Sequence, residues 1–483
     1  MFLGIDLGTS GMRALLVDAQ GVVTGSAENG YPVSRPRSGW SEQDPADWVL
    51  ACRNVLADLK HAHPSQFAAV RGIGISGQMH GATLLGKAGE VLRPCILWND
   101  TRSHAEAATM DAARGVRETS GNIVFPGFTA PKLLWLSAHE AEVFSNIFKV
   151  LLPKDYLGFW LTGEYVSDMS DSAGTAWLDV GNRAWSDDLL SVSGMRKDQM
   201  PRLVEGSEPA ATLRRDIAAE LGLGTDVVVV GGAGDNAAAA CGAGALREGD
   251  GFVSLGTSGV LLAAKNNYAP SAASAVHTFC HAIPDTWYQM GVILAATDCL
   301  NWLAGTLGVQ PADLTKNLGP GLAGPGNIQF LPYLSGERTP HNDSAIRGAF
   351  LGLDIASDHA DLTRAVLEGV GFALRDNLEA LKTTGTRFDH LMALGGGAQS
   401  RYWVELIATV LNLPITLPQK GEFGAALGAA RLAICGVTGA RPSQVMTKPQ
   451  TDCVVTPRAD LQPGYEAAYE KFTRVYPAIR ALQ

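Results

Sequence analysis

A five-residue repeat constrains the fold of this chain more than any other feature of the sequence. Residues 7–11 read Leu-Gly-Thr-Ser-Gly, and the same five residues recur at 255–259, about half of the 483-residue chain further on. Each copy lies between two short apolar runs, which predicts a glycine turn between two strands. The shared context favours duplication over chance recurrence. We therefore predict two related α/β halves that face each other across a central cleft.

The two halves are predicted to meet in a polar segment. Residues 246–250 read Leu-Arg-Glu-Gly-Asp, a composition that is typical of links between domains. We place the boundary after residue 247, so that the first domain covers 1–247 and the second covers 248–483. The chain length agrees with two large domains.

Local patterns predict the elements around the first turn. Phe2 to Ile5 and Ala14 to Val17 are apolar and flank the turn, which predicts an antiparallel meander and not a strand that runs into a helix. Helical periodicity covers Pro45 to Leu59, with Asp44 as the expected N-cap. A buried strand is predicted over Ala68 to Ser76.

The residues that precede the two turns differ in charge. Asp6 lies just before the first turn, whereas Ser254 occupies the same place before the second. Two facing glycine turns could hold a polyphosphate through backbone N–H groups. One carboxylate could hold Mg²⁺ there, but a second would repel the phosphates, so the asymmetry favours a nucleotide–metal cleft. Alternatively, Gly8 and Gly11 serve only to form tight hairpin turns.

A third glycine cluster, Gly395–Gly397, follows the apolar Leu391–Ala393. Consecutive glycines after a strand permit close approach to a flat ligand such as a purine. The alternative is a plain connection between a strand and a helix.

A carboxylate lies in a further glycine loop, after the β-branched run Val227–Val230. Residues 231–236 read Gly-Gly-Ala-Gly-Asp-Asn, which matches the dinucleotide-binding pattern. Asp235 would face a pyrophosphate with like charge there, so we favour a second interpretation. A carboxylate on a glycine turn, with the polar Asn236 beside it, can act as a base toward a substrate hydroxyl.

Two segments have the residue types of a sugar site. Gln78-Met79-His80 follows the predicted buried strand, and Trp98 leads a short polar run. Together they offer donors, acceptors and an aromatic face in a small space, which suits a polyhydroxylated ligand. A buried structural histidine is the alternative for His80.

Composition and several weak motifs exclude other classes of protein. The net charge of −10 argues against nucleic acid or an anionic membrane as a partner. No segment reads as a signal or membrane span, and seven cysteines without a CxxC pair suit a reducing cytoplasm, so a cytoplasmic location is expected. Residues 81–88 lack the Ser/Thr of a P-loop and predict a hairpin turn. His277 and His281 lack further ligands at metal-binding spacing.

Taken in order along nearly the whole chain, the motifs resemble those of the FGGY carbohydrate kinases. The resemblance rests on Ile5–Gly11, Gln78–Gly81, Leu97–Asp100, Gly234–Asn236, Ser254–Gly259, Tyr333–His341, Gly348–Leu353 and Leu394–Ala398. It implies two ribonuclease H-like domains of the actin and hexokinase type, which agrees with the predicted duplication. The first domain would then hold the sugar, the first phosphate turn and the base, and the second would hold the nucleotide.

The resemblance also implies a reaction, namely phosphorylation of the terminal hydroxyl of D-xylulose by ATP with Mg²⁺, as a step of xylose catabolism. It makes Asp235 the base and Asp6 the Mg²⁺-linked carboxylate. The predicted sugar-binding residues are Gln78, Met79, His80, Trp98, Asp235 and Asn236. The predicted nucleotide-binding residues are Thr9, Ser10, Gly11, Arg13, Gly256, Thr257, Ser258, Gly395, Gly396 and Gly397.

Several alternatives stay open at this stage. Within the same fold, the sugar could be ribulose, gluconate or glycerol. From other classes, a nucleotide-dependent sugar sensor, an actin-like assembly protein, or a dehydrogenase built on the dinucleotide pattern could share parts of these signals. The sequence does not fix the oligomeric state and is compatible with a homodimer. It also leaves open whether Trp40–Asp44 borders the sugar pocket or only caps a helix.

Overall fold

A computed structural model describes residues 1–319, 321–419 and 424–482, and it contains one large mixed sheet from each half of the sequence. In spatial order, the first sheet consists of Pro209–Thr212, Val228–Val230, Gly72–Gly77, Phe2–Leu7, Gly11–Val17 and Val23–Gly30, with Ala233–Gly234 also paired to Gly72–Gly77. The second consists of His277–Cys280, Trp287–Ile293, Gly259–Lys265, Gly251–Leu255, Leu391–Leu394, Ile415–Pro418 and Thr451–Val455.

The two sheets share one topology. In each, the strand before the glycine turn pairs antiparallel with the strand after it. The same strand pairs parallel with a strand from later in its own half. The predicted duplication and the antiparallel meander are therefore confirmed.

Helices surround the sheets. Those of the first half are Pro45–Ala62, Pro64–Ala68, His104–Asp111, Val116–Ser120, Thr129–His139, Ala141–Ser145, Pro153–Thr162, Met169–Ser172, Asp187–Val192, Arg215–Leu221 and Asp235–Ala243. Those of the second half are Thr297–Leu307, Pro311–Lys316, His359–Lys382, Arg401–Leu411, Ala425–Thr438, Pro442–Val445, Gln462–Phe472 and Val475–Arg480. Short strand pairs are Glu42–Gln43 with Cys95–Ile96, Thr83–Leu85 with Lys149–Leu151, Val166–Asp168 with Arg202–Val204, Leu178–Asp179 with Ala184–Trp185, and Gln329–Leu331 with Ala349–Leu351.

Most predicted elements occur, with shifted ends. The helix that begins at Pro45 is capped by Asp44, which accepts a hydrogen bond from the Ala46 N–H at 2.9 Å, as predicted. The strand predicted from Ala68 begins only at Gly72, because the preceding residues form a helical turn. Residues 86–89 form the predicted turn, in which the Gly89 N–H donates to the Gly86 carbonyl at 3.0 Å.

One helix of the second half packs against the sheet of the first. Ala425–Thr438 approaches the strands so closely that a Cβ on Gly4 would lie 1.9 Å from the Ala426 carbonyl oxygen. A Cβ on Gly74 would likewise lie 1.9 Å from the Ala429 oxygen. The sequence did not indicate this crossing, which joins the halves through a common core. The division after residue 247 stays a prediction.

All seven cysteines are free thiols, as their scattered spacing predicts, and six of them are buried in the structure. Within the described residues, no helix combines the length and apolar character that a membrane crossing requires.

Candidate active site

Asp235 lies where a two-residue strand changes into a helix. Gly234 pairs in parallel with Gly77, so that Asp235 follows one strand end while Gln78–His80 follows the neighbouring one. The Asp235 carboxylate accepts hydrogen bonds from the backbone N–H and the side-chain amide of Asn236, at 2.7 and 2.9 Å. The side chain is half-buried. Burial, followed by the nearby charge of Asp6, raises the pKa of Asp235 to about 7.

Asp6 occupies the end of the adjacent strand. Its neighbours in register are Ser76 on one side and Arg13 on the other. The Ser76 hydroxyl donates to Asp6 Oδ1 at 2.9 Å, which leaves the second carboxylate oxygen for a ligand. Burial raises the pKa of Asp6, and the Ser76 hydrogen bond and the charge of Arg13 oppose that rise. Two carboxylates with raised pKa values thus lie near each other at one edge of the sheet.

His80 is held in an uncommon conformation by three contacts. Its φ of 70° is left-handed, and its carbonyl oxygen accepts from Lys132 Nζ at 2.7 Å and from Thr129 Oγ1 at 3.1 Å. The ring Nδ1 donates to the Gly174 carbonyl at 2.7 Å, so Nε2 is the acceptor of the neutral ring. Burial lowers the pKa of His80 to about 3, which keeps the ring neutral. A neutral acceptor suits a sugar hydroxyl.

Met79 precedes His80 in the sequence and packs against the loop that carries Asp235. A Cβ on Gly234, which precedes Asp235, would lie 3.0 Å from Met79 Cγ. The Met79 sulfur lies 3.9 Å from the hydroxyl of Tyr288, a residue of the second half. Met79 therefore lies against the loop that carries Asp235, and the roles of Met79, His80 and Asp235 stay predictions.

Trp98 contacts the first glycine turn directly, and the Gln78 side chain reaches it through Gln43. The Gln78 amide donates to Gln43 Oε1 at 2.9 Å, and the Gln43 amide donates to the Thr9 carbonyl at 2.7 Å. Trp98 Nε1 donates to Thr9 Oγ1 at 2.9 Å. Gln78 therefore supports the turn through Gln43. Sugar binding by Gln78 stays a prediction. Within Trp40–Asp44, Gln43 supports the turn and Asp44 caps a helix, and a place for this segment at the sugar pocket stays a prediction.

A cavity of about 860 Å³ opens between the halves beside Asp6. Asp6 and Arg13 line it from the first half, and Gly395, Pro418 and Asp452 are among the residues that line it from the second. The other predicted nucleotide residues, Thr9, Ser10, Gly11, Gly256, Thr257, Ser258, Gly396 and Gly397, are not among the described residues that line this cavity.

The second turn and the third glycine cluster lie against each other. A Cβ on Gly395 would lie 2.7 Å from the Leu255 carbonyl oxygen, and one on Gly397 would lie 2.8 Å from Leu255 Cβ, whereas Gly396 has no neighbour within 4 Å. Two of the three glycines are therefore needed for packing. The Gly256 carbonyl accepts from the Thr297 N–H at 3.0 Å, which fixes the turn to the start of a helix.

A second cavity, of about 500 Å³, lies between the halves beside Trp98. Phe125 and Trp98 line it from the first half, and Glu337 and Arg338 line it from the second. The Arg338 guanidinium carbon lies 5.0 Å from the centre of the Phe125 ring. Arg338 belongs to the motif Tyr333–His341, in which no site residue was predicted from the sequence.

His277 was interpreted from the sequence as an ordinary buried or surface histidine. It is buried, neither ring nitrogen has a hydrogen-bond partner among the described residues, and its ring centre lies 5.0 Å from that of Phe125. The only signal was its spacing from His281, which suggested metal. Among the described residues, no cluster of His, Cys, Asp or Glu has the geometry to hold a metal ion by itself.

Family models confirm the resemblance drawn from the motifs. The model of the FGGY family of carbohydrate kinases, N-terminal domain, matches residues 1–242, and that of the C-terminal domain matches 251–437. The chain therefore belongs to the FGGY family of carbohydrate kinases.

Particular relatives within that family are similar over the full chain. A protein named xylulose kinase from Klebsiella pneumoniae is 44% identical over 487 residues, which cover 100% of both chains. A crystal structure titled as a xyloylose kinase from Brucella ovis has 57% identity and a TM-score of 0.98, and it covers 100% of this chain and 99% of its own. A gluconate kinase structure from Lactobacillus acidophilus has 29% identity and a TM-score of 0.90, with 100% and 97% covered.

Proposed function

We propose that this chain transfers the γ-phosphoryl group of ATP to the terminal hydroxyl of D-xylulose, giving D-xylulose 5-phosphate and ADP. Full-length similarity to proteins named xylulose kinase supports the sugar. The observation that carries the chemistry is the placement of Asp235, a half-buried carboxylate with a pKa of about 7 in the loop against which Met79 packs. A base with a pKa near the working pH is the efficient choice for proton abstraction.

The reaction needs placement and charge neutralisation more than covalent chemistry. Asp235 accepts the proton of the sugar C5 hydroxyl as that oxygen forms a bond to the γ-phosphorus. The bond between the γ-phosphorus and the bridging oxygen breaks, and the electron pair leaves with ADP. Asn236 holds Asp235 through two hydrogen bonds, which leaves the other carboxylate oxygen for the hydroxyl.

The sugar is held on the side of the first half. Met79 offers an apolar contact, and His80 offers Nε2 as an acceptor for a sugar hydroxyl. Trp98 adds an aromatic face beside the first turn. The three residues come from neighbouring segments, so they fix the sugar relative to Asp235.

The nucleotide lies in the cavity beside Asp6. Arg13 faces the cavity from the first half and supplies positive charge near the phosphates, while Gly395 borders the space for adenine and ribose. Carboxylate oxygen is a preferred ligand of Mg²⁺, which proteins commonly hold with one or two carboxylates and the substrate phosphates. Asp6 fits that role because only one of its oxygens accepts from Ser76. When bound, Mg²⁺ neutralises phosphate charge.

A substrate panel tests the proposal. Purified protein with ATP and Mg²⁺ is assayed for ADP release with D-xylulose, D-ribulose, gluconate, glycerol or no sugar. We expect kcat/KM to be at least about tenfold higher for D-xylulose than for any other compound. A higher value for gluconate or glycerol would reassign the sugar within the family. ADP release that no sugar stimulates would contradict the kinase itself.

A further inference from the structure

A buried ionic cluster lies beneath the loop that carries Asp235. Lys154 is almost fully buried, and its Nζ lies 2.5 Å from Asp155 Oδ1 and 2.8 Å from Asp168 Oδ1. Asp171 is also buried, with an oxygen 3.9 Å from the same Nζ. Burying one lysine with three carboxylates carries a large desolvation free energy, so stability alone does not explain the cluster.

The cluster contacts both ends of the loop. Lys154 Nζ donates to the Gly231 carbonyl at 3.3 Å, where the loop leaves its strand. At the other end, the Gly234 N–H donates to Ser170 Oγ at 3.1 Å. Ser170 Oγ donates in turn to Asp168 Oδ2 at 2.5 Å, so the same cluster fixes both contacts.

The loop itself has little regular structure to hold it. Its strand Ala233–Gly234 has only two residues, and Gly232 has a left-handed φ of 76°. The Gly234 N–H that bonds to Ser170 belongs to the peptide between Ala233 and Gly234, one residue before Asp235. A shift of that peptide would move the Asp235 carboxylate relative to the sugar hydroxyl, and a displacement of 1 Å can cost about 100-fold in rate.

We propose that Ser170, held by Asp168, which is itself paired with Lys154, is a positioning residue for phosphoryl transfer, because it fixes the Ala233–Gly234 peptide one residue before Asp235. The inference rests on the proposed role of Asp235 as the base. Ser170 has no contact with sugar or nucleotide in this assignment, so its loss lowers kcat and leaves both KM values unchanged.

The test is Ser170→Ala, with Ser172→Ala as the matched control. Both serines are fully buried in one short helix, but the Ser172 hydroxyl lies 2.9 Å from Ser167 Oγ and does not bond to the loop. For Ser170→Ala we expect kcat to fall by about 10- to 100-fold, with KM for sugar and for ATP within twofold of wild type. Ser172→Ala keeps the wild-type kcat, and Ser170→Thr, which restores an oxygen, recovers most of it.

Equal loss of kcat in both alanine variants, or wild-type kcat in Ser170→Ala, would overturn the proposal. If Ser170→Ala does not unfold cooperatively on heating, Ser170→Cys replaces it, because sulfur fills the site with a much weaker acceptor, and the same fall in kcat is required. All rates use the sugar that the wild-type protein phosphorylates best. Asp235→Asn is measured in parallel: retained activity there removes the base assignment, whereas an inactive Asp235→Asn with a normal Ser170→Ala removes only this inference.

Discussion

At the scale of single residues, the site depends on one carboxylate whose pKa lies close to neutral pH. Burial and the charge of Asp6 together raise the pKa of Asp235 to about 7. Asp235→Asn keeps the shape but cannot accept a proton, so we expect kcat to fall by about 10²–10⁴-fold with ATP binding retained. Steady-state kinetics and nucleotide titration measure the two effects. A rate within a few-fold of wild type would exclude Asp235 as the base.

The same pKa predicts how stability depends on pH. The folded pKa of about 7 lies above the ordinary 3.8, so the folded state binds the proton more tightly than the unfolded chain does. The stability that this proton provides is complete below about pH 4 and is lost as the pH rises through 7. Asp235→Asn should therefore melt about 2–4 °C above wild type at pH 8, with no such gain at pH 4. An equal shift at both pH values would contradict the linkage.

His80 gives a prediction on the sugar side. Its Nε2 is the acceptor left after Nδ1 donates to Gly174. His80→Ala removes that acceptor, so KM for the sugar should rise about tenfold, the effect of one lost hydrogen bond of about 1.4 kcal/mol, while KM for ATP stays within twofold. Parallel titrations of the two substrates measure this split. Equal changes in both KM values would make His80 a structural residue.

At the scale of elements, the helix that begins at Asp235 packs on a helix of the other half. A Cβ on Gly428 would lie 1.8 Å from the Ala238 carbonyl oxygen in the helix of the base. Gly428→Ala should therefore lower the free energy of unfolding by about 1–3 kcal/mol and reduce kcat, because the helix must shift. Gly305→Ala is the control, since it lies in a helix with no atom near its Cβ, and it should be neutral or stabilising. Denaturant unfolding and kinetics of both variants provide the comparison.

The sequence predicted the strands and helices better than it predicted which of them pack against each other. The repeat at 7–11 and 255–259 was enough to predict two similar sheets, because strand–turn–strand patterns are local. Asp235, Met79 and His80 were grouped by the family resemblance, and in the structure they follow the ends of two neighbouring strands. The contacts of Lys132 with His80 and of His277 with Phe125 were not predicted, because each joins residues far apart in the sequence. The packing of Gly4 against a helix from the second half was unpredictable for the same reason.

At the scale of the whole molecule, the halves are not independent. Arg431 of the second half donates to the Cys241 and Gly242 carbonyls at the end of the Asp235 helix, at 3.0 and 2.8 Å. The Asn122 side chain accepts from the N–H of Thr278 and donates to its carbonyl, each at 2.9 Å. It thereby pairs with the backbone of the edge strand of the second sheet. Duplication produced two similar sheets, but these contacts and a common core join them into one unit.

This shared core predicts how the molecule unfolds. The first half, residues 1–247, lacks the helix Ala425–Thr438 that covers Gly4 and Gly74, so on its own it would expose an apolar sheet face. We expect the full chain to unfold in a single calorimetric transition, and the fragment 1–247 to show no cooperative transition. Calorimetry of both proteins measures this. Two separate transitions, or a fragment that folds with its own sharp melting point, would show that the sheets are stable alone and that the contacts between the halves contribute little to folding.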